Sequence, residues 1–403
     1  MTRVLIVGAG PAGAALAHLL VHRGIEVTLL ERQQDLDREF RGEVLMPSGL
    51  EAIEELGLGE ELAAIPGQPQ KRVSAYLNKQ LLFDQDLPIE FLRGRFPLAV
   101  SQPALLEMII AAARKSPHFT FERGASAKDL IFKDGRVIGV RVRTSEGEKL
   151  LHADLIVGAD GRASVVRKFG DFGLSRTTAS LDVVWCKIPC PDNWESFQFY
   201  AGKGHLLLGY RSWDDQLQLA WVILKGTFGE LKSRGINEWV EQMAEHVAPD
   251  LAAHIRSHIG SIRKPFLLDV VSDCVERWSV PGALVIGDAA HTMSPVGGQG
   301  INIALRDTII TANHLVPVLS ESTLDHSRLE AALFEIEKER MPEVKRVQEM
   351  QALPPKVVLS HAWWGEPLRW ALGGLIRNDH IRAALGVRAG IFPLGLTDVR
   401  LSV

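Results

Sequence analysis

A glycine-rich turn at residues 8–13, Gly-Ala-Gly-Pro-Ala-Gly, stands directly after the unbroken apolar run 4–7. Such a run is typical of a strand that is buried on both faces of a parallel sheet. Residues 14–23 then show the apolar spacing of a helix, and a second short apolar run ends at Glu31. This order of strand, glycine turn, helix, strand and acid is the one that a dinucleotide-binding unit requires.

Each of the distinctive residues in this stretch has a physical reason. Gly8 permits the tight turn, Gly10 lets the backbone approach a pyrophosphate, and Gly13 lets the helix pack close to the strand. The helix N-terminus offers unpaired N–H groups and the positive end of its dipole to the phosphates. Glu31 stands where a carboxylate accepts hydrogen bonds from a ribose. We predict dinucleotide binding here; a glycine-rich turn without a ligand is the alternative.

Length, charge and cysteine content restrict the class of protein. A chain of 403 residues can hold two domains, and its net charge of −4 gives no indication of nucleic acid binding. Cys186, Cys190 and Cys274 form no disulfide framework and no CxxC pair, which fits a reducing cytoplasm. The N-terminal apolar run is broken by glycines, so it predicts a βα unit rather than an export signal. No stretch approaches the length of a membrane span.

The pattern changes along the chain in a way that predicts an α/β protein with an inserted sheet. Between 181 and 224, aromatic-rich runs alternate with turn signals, which indicates antiparallel strands. An apolar strand at 283–286 then returns the chain to the first unit. We expect a discontinuous dinucleotide-binding domain at 1–72, 97–175 and 270–345. We expect a substrate domain at 73–96 and 176–269, and a C-terminal helical segment at 346–403.

Two further motifs follow the first in a fixed order. The apolar strand at 153–159 ends in Asp160-Gly161, and the strand at 283–286 is followed by Gly287-Asp288. Residues 295–302, Pro-Val-Gly-Gly-Gln-Gly-Ile-Asn, then lead into a helix. With the turn at 8–13, these motifs resemble those of the class A flavoprotein aromatic hydroxylases, the p-hydroxybenzoate hydroxylase family, over roughly residues 1–345.

The resemblance implies a Rossmann-like FAD-binding domain with an inserted antiparallel-sheet substrate domain. It also implies FAD as the cofactor, with NADH or NADPH as a transient co-substrate, because no second GxGxxG unit is present. The residues that would contact FAD by this resemblance are Gly8, Gly10, Pro11, Ala12, Gly13, Glu31, Arg32, Arg41, Gln102, Ala127, Asp160, Gly287, Asp288, Pro295, Gly298, Gly300, Ile301 and Asn302.

Several of these roles have alternatives. The resemblance places Asp288 on a ribitol hydroxyl and Pro295 beside the reactive flavin edge, but a helix-capping acid and a rigid loop residue are the other interpretations. Asp160 would contact flavin or nicotinamide, or would only form a turn. Arg41 would lie near the FAD ribose, or on the surface. His291 could be a base, but it is better interpreted as a structural hydrogen-bonding residue.

The substrate is expected between the flavin and the antiparallel sheet. Its lining would include Met46, Phe199, Tyr210, Arg211 and Trp221, although aromatic residues on a strand are more often core. Tyr210 or Arg211 could orient a phenolate or carboxylate, and the sequence leaves open which.

The resemblance therefore implies an FAD-dependent monooxygenase. It would use NAD(P)H and O2 to hydroxylate an aromatic or heteroaromatic small molecule through a flavin C4a-hydroperoxide. One alternative is epoxidation, dehydrogenation or reduction of a prenyl-like or hydrophobic substrate; another is a non-catalytic binding protein that keeps the FAD fold. No metal site is predicted, contact with a membrane surface is not expected, and monomer and homodimer stay open.

Overall fold

A computed structural model describes most of the chain. The described residues are 2–36, 43–177, 181–202, 204–262, 265–359, 364–378, 380–381 and 391–403. Arg41, one of the predicted FAD contacts, lies outside them.

The strands are, in chain order, β1 (Arg3–Val7), β2 (Glu26–Glu31), β3 (Val44–Leu45), β4 (Gly67–Pro69), β5 (Arg72–Leu77), β6 (Gln80–Asp86), β7 (Leu98–Val100), β8 (Phe119–Arg123), β9 (Ser126–Lys133), β10 (Arg136–Thr144), β11 (Gly147–His152), β12 (Leu155–Gly158), β13 (Ser175–Thr177), β14 (Leu181–Pro189), β15 (Ser196–Gly202), β16 (His205–Arg211), β17 (Gln216–Leu224), β18 (Phe266–Leu268), β19 (Ser272–Cys274), β20 (Ser279–Val280) and β21 (Ala283–Val285).

The helices are α1 (Pro11–Val21), α2 (Pro47–Glu55), α3 (Gly59–Ala64), α4 (Gln102–Ala113), α5 (Val165–Phe169), α6 (Phe228–Arg234), α7 (Ile236–Ala244), α8 (Pro249–Ser257), α9 (Gly300–Leu319), α10 (His326–Val358), α11 (Gly365–Arg377) and α12 (Ile391–Leu394). Short 3-10 turns lie at Ile259–Ser261, Gly287–Ala289 and Val296–Gly298.

A six-stranded sheet in the order β20-β21-β12-β1-β2-β8 carries the glycine motif. Its central strand β1 runs parallel to both β2 and β12, and four of its five residues are buried. Helix α1 packs against α9 and α4. The apolar run thus forms the doubly covered central strand that the sequence predicts, and the turn after it opens at the carboxyl edge of the sheet.

A seven-stranded sheet in the order β18-β14-β17-β16-β15-β5-β6 forms the second layer of strands. The sequence predicts an antiparallel sheet, but β15 and β5 are parallel. β5 and β6 form an antiparallel hairpin that turns at Asn78 and Lys79, with φ of 47° and 68°. This hairpin extends the sheet beyond β15 through the parallel β15–β5 pair, so the sheet is mixed.

The two faces of this sheet are covered differently. On its outer face, Leu217, Leu219 and Trp221 of β17 pack with α7 and α8. On its inner face, Ala220 and Val222 of the same strand pack with Leu206 and Leu208 of β16. Successive side chains alternate between the faces, as in any strand.

The C-terminal helices connect both sheets. Helix α10 packs against α9, and α11 packs against β5 and β6. The domain boundaries stay a prediction, but α10 begins at His326 and crosses the expected boundary after residue 345 without a break. Among the described residues, no helix is both long enough and apolar enough to cross a membrane.

Candidate active site

The first glycine motif is shaped by two close approaches of the main chain. Gly8 has a φ of 101°, and a Cβ there would lie 2.5 Å from the carbonyl oxygen of Ala159. A Cβ on Gly13 would lie 1.9 Å from the carbonyl oxygen of Gly8. Any side chain at either position would therefore separate β1, α1 and the strand end at Ala159. The positive φ of Gly8 agrees with the predicted tight turn, and the close contact at Gly13 agrees with the predicted helix packing.

The N-terminus of α1 has no side-chain cap. Its first flanking residue, Gly10, makes no side-chain cap, and Pro11 occupies the first turn. Gly10 has a φ of −75° and a ψ of −176°, which any residue can adopt. Glycine is thus not required there by backbone conformation, and access for a phosphate stays the predicted reason for it.

Glu31, at the end of β2, is 2% exposed. One carboxylate oxygen accepts a hydrogen bond from the N–H of Ala9 at 3.1 Å, and the other accepts from the N–H of Gln33 at 3.0 Å. The carboxylate thereby fixes the glycine turn against β2. Its contact with a ribose stays a prediction.

Three other predicted FAD contacts have different surroundings. Arg32 is exposed, while Gln102 and Ala127 are 6% and 7% exposed, respectively. Gln102 is the first residue of α4, which the hydroxyl of Ser101 caps through the N–H of Ala104 at 3.3 Å. Their roles toward FAD stay predictions.

Asp160 caps the following helix. Its carboxylate accepts hydrogen bonds from the hydroxyl of Ser164 and from the N–H of Val165 at 2.7 Å, at the start of α5. Burial raises the pKa of the Asp160 carboxyl, although these hydrogen bonds oppose that shift. Both carboxylate oxygens are occupied by the chain itself, as the turn interpretation expects. A contact between this residue and flavin or nicotinamide stays a prediction.

The third motif leaves its aspartate accessible. Gly287 has a φ of 58°, and its N–H donates to Asp307 at 3.1 Å. The side chain of Asp288 is 36% exposed and lies 3.4 Å from the Nε of Arg162. Asp307 therefore holds the main chain of the turn, while the carboxylate of Asp288 stays available to a hydroxyl donor.

His291 is a partner of the buried Asp307 and does not lie in an open site. It is 1% exposed, and its Nε2 lies 2.6 Å from a carboxylate oxygen of Asp307. The Nε of Arg340 donates to Asp307 at 2.8 Å, and the same guanidinium also pairs with Glu343. Burial opposes ionisation of Asp307, but His291 and Arg340 outweigh it and lower the pKa of that carboxyl. The structural interpretation of His291 therefore fits its surroundings.

The glycine loop before α9 is held by Asn302. The Oδ1 of Asn302 accepts from the N–H of Met46 at 2.9 Å, and its Nδ2 donates to the carbonyl of Gly298 at 2.7 Å. Gly298 is left-handed, with a φ of 62°, and a Cβ on Gly300 would meet nothing within 4 Å. Helix α9 itself begins without a side-chain cap. The side chain of Asn302 positions the loop, so only its N–H is left for a cofactor.

The uncapped N-termini of α1 and α9 fit FAD. A Cβ on Gly287 would lie 3.1 Å from the Cβ of Ala12 in α1 and 3.5 Å from the Cβ of Ala304 in α9. The N-termini of both helices thus flank one turn, and neither has a side-chain cap. Uncapped N–H groups and two positive dipole ends suit a diphosphate and an electron-rich ring system. FAD carries both.

The inner face of the large sheet meets this loop through Met46. The Cε of Met46 lies 3.3 Å from the position that a Cβ on Gly298 would take. Met46 also packs against the cluster of Val44, Ala99 and Tyr210, and the ring of Tyr210 stacks on Phe197 with centroids 5.1 Å apart. Phe199 is a further 5.1 Å from Phe197. The structure thus brings Met46, Phe199 and Tyr210 to one face beside the glycine loop.

The structure corrects the prediction that Arg211 and Trp221 line the substrate site. Trp221 is 2% exposed and packs on the outer face, where it stacks on Trp239 at 6.1 Å. Arg211 follows Tyr210 and also points outward, where it pairs with Asp215 at 2.8 Å. Because side chains alternate along a strand, neither residue can share the face of Tyr210. Neither can therefore line a site between this sheet and the glycine loop.

A polar row on the inner face was not predicted. Tyr210, Gln218 and Lys187 are register neighbours across β16, β17 and β14. The Nζ of Lys187 lies 3.0 Å from Asp214 and 3.4 Å from Glu43. Burial is the main cause that raises the pKa of the Glu43 carboxyl.

Gln218 is 1% exposed, and its Oε1 accepts no hydrogen bond from any described residue. The indole N–H of Trp185, two positions from Lys187, donates no hydrogen bond to any described residue. A polar residue between apolar neighbours was the available sequence signal for Gln218, but the sequence did not show which face was the inner one.

Comparison with known proteins gives the same class as the fold and site. A family model described as FAD binding domain matches residues 1–349. The chain is 34% identical over 362 residues to 6-methylpretetramide 4-monooxygenase of Streptomyces rimosus, covering 89% of this chain and 85% of that protein.

It is 28% identical to squalene epoxidase 3 of Arabidopsis thaliana, covering 78% of this chain but only 60% of that protein. The crystal structure of P. aeruginosa PqsL with 2-aminobenzoylacetate has the same fold, with a TM-score of 0.79 at 21% identity, over 89% of this chain and 97% of that one. The chain belongs to the FAD-binding-domain family, among the class A FAD-dependent monooxygenases. It is an oxidoreductase, and FAD is its cofactor.

Proposed function

We propose that this monooxygenase uses NADH or NADPH and O2 to hydroxylate a multi-ring aromatic small molecule that carries hydroxyl or carbonyl groups. The observation that carries the proposal is the inner sheet face, which places stacked aromatic rings and a polar row next to the glycine loop before α9. The relative of 34% identity acts on 6-methylpretetramide, by its name, and supports an aromatic substrate.

The chain holds the cofactor from two sides in this proposal. The first N–H groups of α1 would hold the pyrophosphate, with Gly10 leaving room, and Asp288 would accept a hydrogen bond from a ribitol hydroxyl. The first N–H groups of α9, at Gly300 and Ile301, would hold the flavin ring and stabilise negative charge on it. When bound, FAD supplies the transfer of electrons from the nicotinamide and of one oxygen atom from O2 to the substrate.

The substrate lies between Pro295 and the inner sheet face. Phe199 and Tyr210 pack against its rings, and Met46 closes the side next to Gly298. The unsatisfied Oε1 of Gln218 accepts from a substrate hydroxyl, because a buried acceptor without a partner costs free energy that a bound donor recovers. The apolar ring contacts exclude water from the reacting centre.

The polar row also separates this proposal from epoxidation of a hydrocarbon, which the squalene epoxidase relatives do by their names. A hydrocarbon would leave Gln218 and the indole N–H of Trp185 without partners in a water-poor site. A hydroxylated aromatic satisfies both. We therefore place an oxygen-bearing aromatic first.

The test is anaerobic stopped-flow reduction of the bound flavin by NADH and by NADPH, followed near about 450 nm, with and without 6-methylpretetramide, simple phenols and quinolones. Without a second nucleotide-binding unit, nicotinamide access depends on flavin movement, so a bound substrate should accelerate bleaching. A hundredfold acceleration requires about 3 kcal/mol of differential affinity for the two flavin positions. Fast reduction that no bound aromatic changes would contradict substrate-gated hydroxylation.

A matched pair of variants locates the substrate. Gln218→Leu on the inner face should weaken aromatic binding about tenfold, the effect of losing one buried hydrogen bond, and leave FAD binding intact. Trp221→Phe on the outer face of the same strand should leave aromatic binding unchanged. Equal effects of both substitutions would show that the substrate does not lie on the inner face.

A further inference from the structure

The main chain between the Gly287-Asp288 turn and the glycine loop is held by a side chain from helix α10. Gln351 is 1% exposed, and its Nε2 donates to the carbonyls of Ser294 at 2.9 Å and Val296 at 2.8 Å. Its Oε1 accepts from the N–H of Ser294 at 3.2 Å. One amide thus bonds three main-chain groups on both sides of Pro295.

A second glutamine extends this contact. The Nε2 of Gln348 donates to the carbonyl of Thr292 at 3.0 Å and to that of Asp273 at 3.1 Å. Residues 348 and 351 lie three positions apart and so share one face of α10. The main chain of residues 292–296 is therefore hydrogen-bonded by two neutral amide side chains on one helix.

The chemistry of this contact requires an amide. Two carbonyls need donors while one N–H needs an acceptor, and only Asn and Gln side chains supply two donors and an acceptor without a charge. A carboxylate at position 351 would face two carbonyl oxygens, and an apolar side chain would leave all three groups without partners.

Helix α10 also reaches the substrate side. Leu359, the residue after α10, is 4% exposed and packs with Val183, Ala220 and Val222 on the inner sheet face. Helix α10 holds the segment that carries Pro295, and the residue directly after the helix packs on the sheet that lies opposite it.

We propose that Gln351 is a positioning residue for the oxygen-transfer reaction. Its amide fixes residues 294–296 so that Pro295 and the first N–H groups of α9 keep their places against the flavin ring. This inference rests on the flavin position given under the proposed function. Gln351 lies beyond residue 349, where the match to the family model ends.

The experiment measures the midpoint reduction potential of FAD in the purified holoprotein and in Gln351→Glu and Gln351→Leu. Loosening the loop should weaken binding of reduced FAD relative to oxidised FAD by about tenfold, a decrease of ~30 mV for a two-electron couple. Oxidised FAD should bind with nearly unchanged affinity, because the motif at 8–13 still holds its phosphates. Glu349→Gln is the matched control, since Glu349 pairs with Arg346 on the exposed side of α10.

The Gln351→Glu variant adds a signature that a general loss of stability lacks. The introduced carboxyl can donate one hydrogen bond to a carbonyl only when protonated. The potential difference from wild type at the same pH should therefore shrink as the pH falls, while the difference for Glu349→Gln should stay near zero. This variant carries the test even where Gln351→Leu does not fold.

Three outcomes would overturn the proposal: a potential equal to wild type in both variants, a shift without pH dependence in Gln351→Glu, or a loss of FAD affinity that only parallels a lower melting temperature. Failure of the proposed function is recognised separately, because it appears in the wild-type holoprotein as absence of NAD(P)H-dependent aromatic hydroxylation.

Discussion

The side-chain oxygen of Asn302 accepts a hydrogen bond of 2.9 Å from the main-chain N–H of Met46. This bond joins the start of helix α9 to the start of helix α2, and it positions Met46 beside Gly298. The loop proposed to contact the flavin and the residue proposed to contact the substrate are therefore fixed to each other directly.

Gly49→Ala should break this connection. A Cβ at Gly49 would lie 1.9 Å from the Oδ1 of Asn302, so the amide must move and release Met46. We expect a loss of about 1–3 kcal/mol in the free energy of unfolding and weaker FAD binding. The measurement is urea unfolding with FAD titration. Gly59→Ala, whose Cβ would lie 3.7 Å from the Cγ of Glu54, should stay within about 0.5 kcal/mol of wild type; equal losses would contradict the role of Asn302.

Gly10→Val and Gly13→Val should fail in different ways. Valine can adopt the φ and ψ of Gly10, so the apoprotein should fold but bind no FAD, because the side chain occupies the approach of the pyrophosphate. Valine at position 13 would collide with the carbonyl of Gly8, so that variant should lose its fold. Circular dichroism and FAD titration distinguish the two. A folded Gly10→Val with wild-type FAD affinity would show that the pyrophosphate binds elsewhere.

The glycine motifs were predictable because their chemistry is local. Gly8 and Gly13 act within one strand–turn–helix unit, whose sequence contains the whole pattern. The face of Trp221 is not predictable from β17, because both faces of the strand are buried and residues 219–224 are all apolar. The sequence therefore predicts Trp221 in the substrate lining, whereas the structure places it on the outer face.

The contacts of Glu43, Lys187 and Gln351 were also missed, for a different reason. The ion pair between Glu43 and Lys187 joins residues 144 positions apart, and Gln351 contacts residues 55–57 positions before it. Such pairs depend on how the sheets and α10 pack together. No local pattern in the sequence encodes that packing.

Asp307→Asn should destabilise the fold and change its response to acid. The pKa of Asp307 is lowered in the folded state, so its charge stabilises the fold above the unfolded pKa of about 3.9. That contribution disappears as the pH falls through the lower folded pKa. We expect a loss of about 3–5 kcal/mol at pH 7 for removing one partner of a buried ion pair.

The check is urea unfolding of the wild type and the variant between pH 7 and strongly acidic pH. The difference in the free energy of unfolding should shrink below about pH 4. A difference that stays constant into acid would mean that the charge of Asp307 does not stabilise this network.

The cysteines should react slowly in the native protein. Burial raises the pKa of Cys186 to about 12 and those of Cys190 and Cys274 to about 11. At pH 8, about a thousandth or less of each thiol is then ionised. A thiol reagent such as DTNB should label the half-buried Cys190 first and all three rapidly only in guanidinium. Fast native labelling that Cys186→Ser abolishes would contradict the burial of that strand.

The most direct test of the account is the origin of the oxygen atom in the product. The FAD-loaded protein is incubated with NADPH or NADH, 6-methylpretetramide or another bound aromatic, and ¹⁸O2, and the product is analysed by mass spectrometry. We predict one ¹⁸O atom per product molecule, with none incorporated from H2¹⁸O in the reverse labelling. Oxygen that came from water, or complete conversion of the reducing equivalents to hydrogen peroxide with every aromatic that binds, would contradict hydroxylation of an aromatic substrate by this protein.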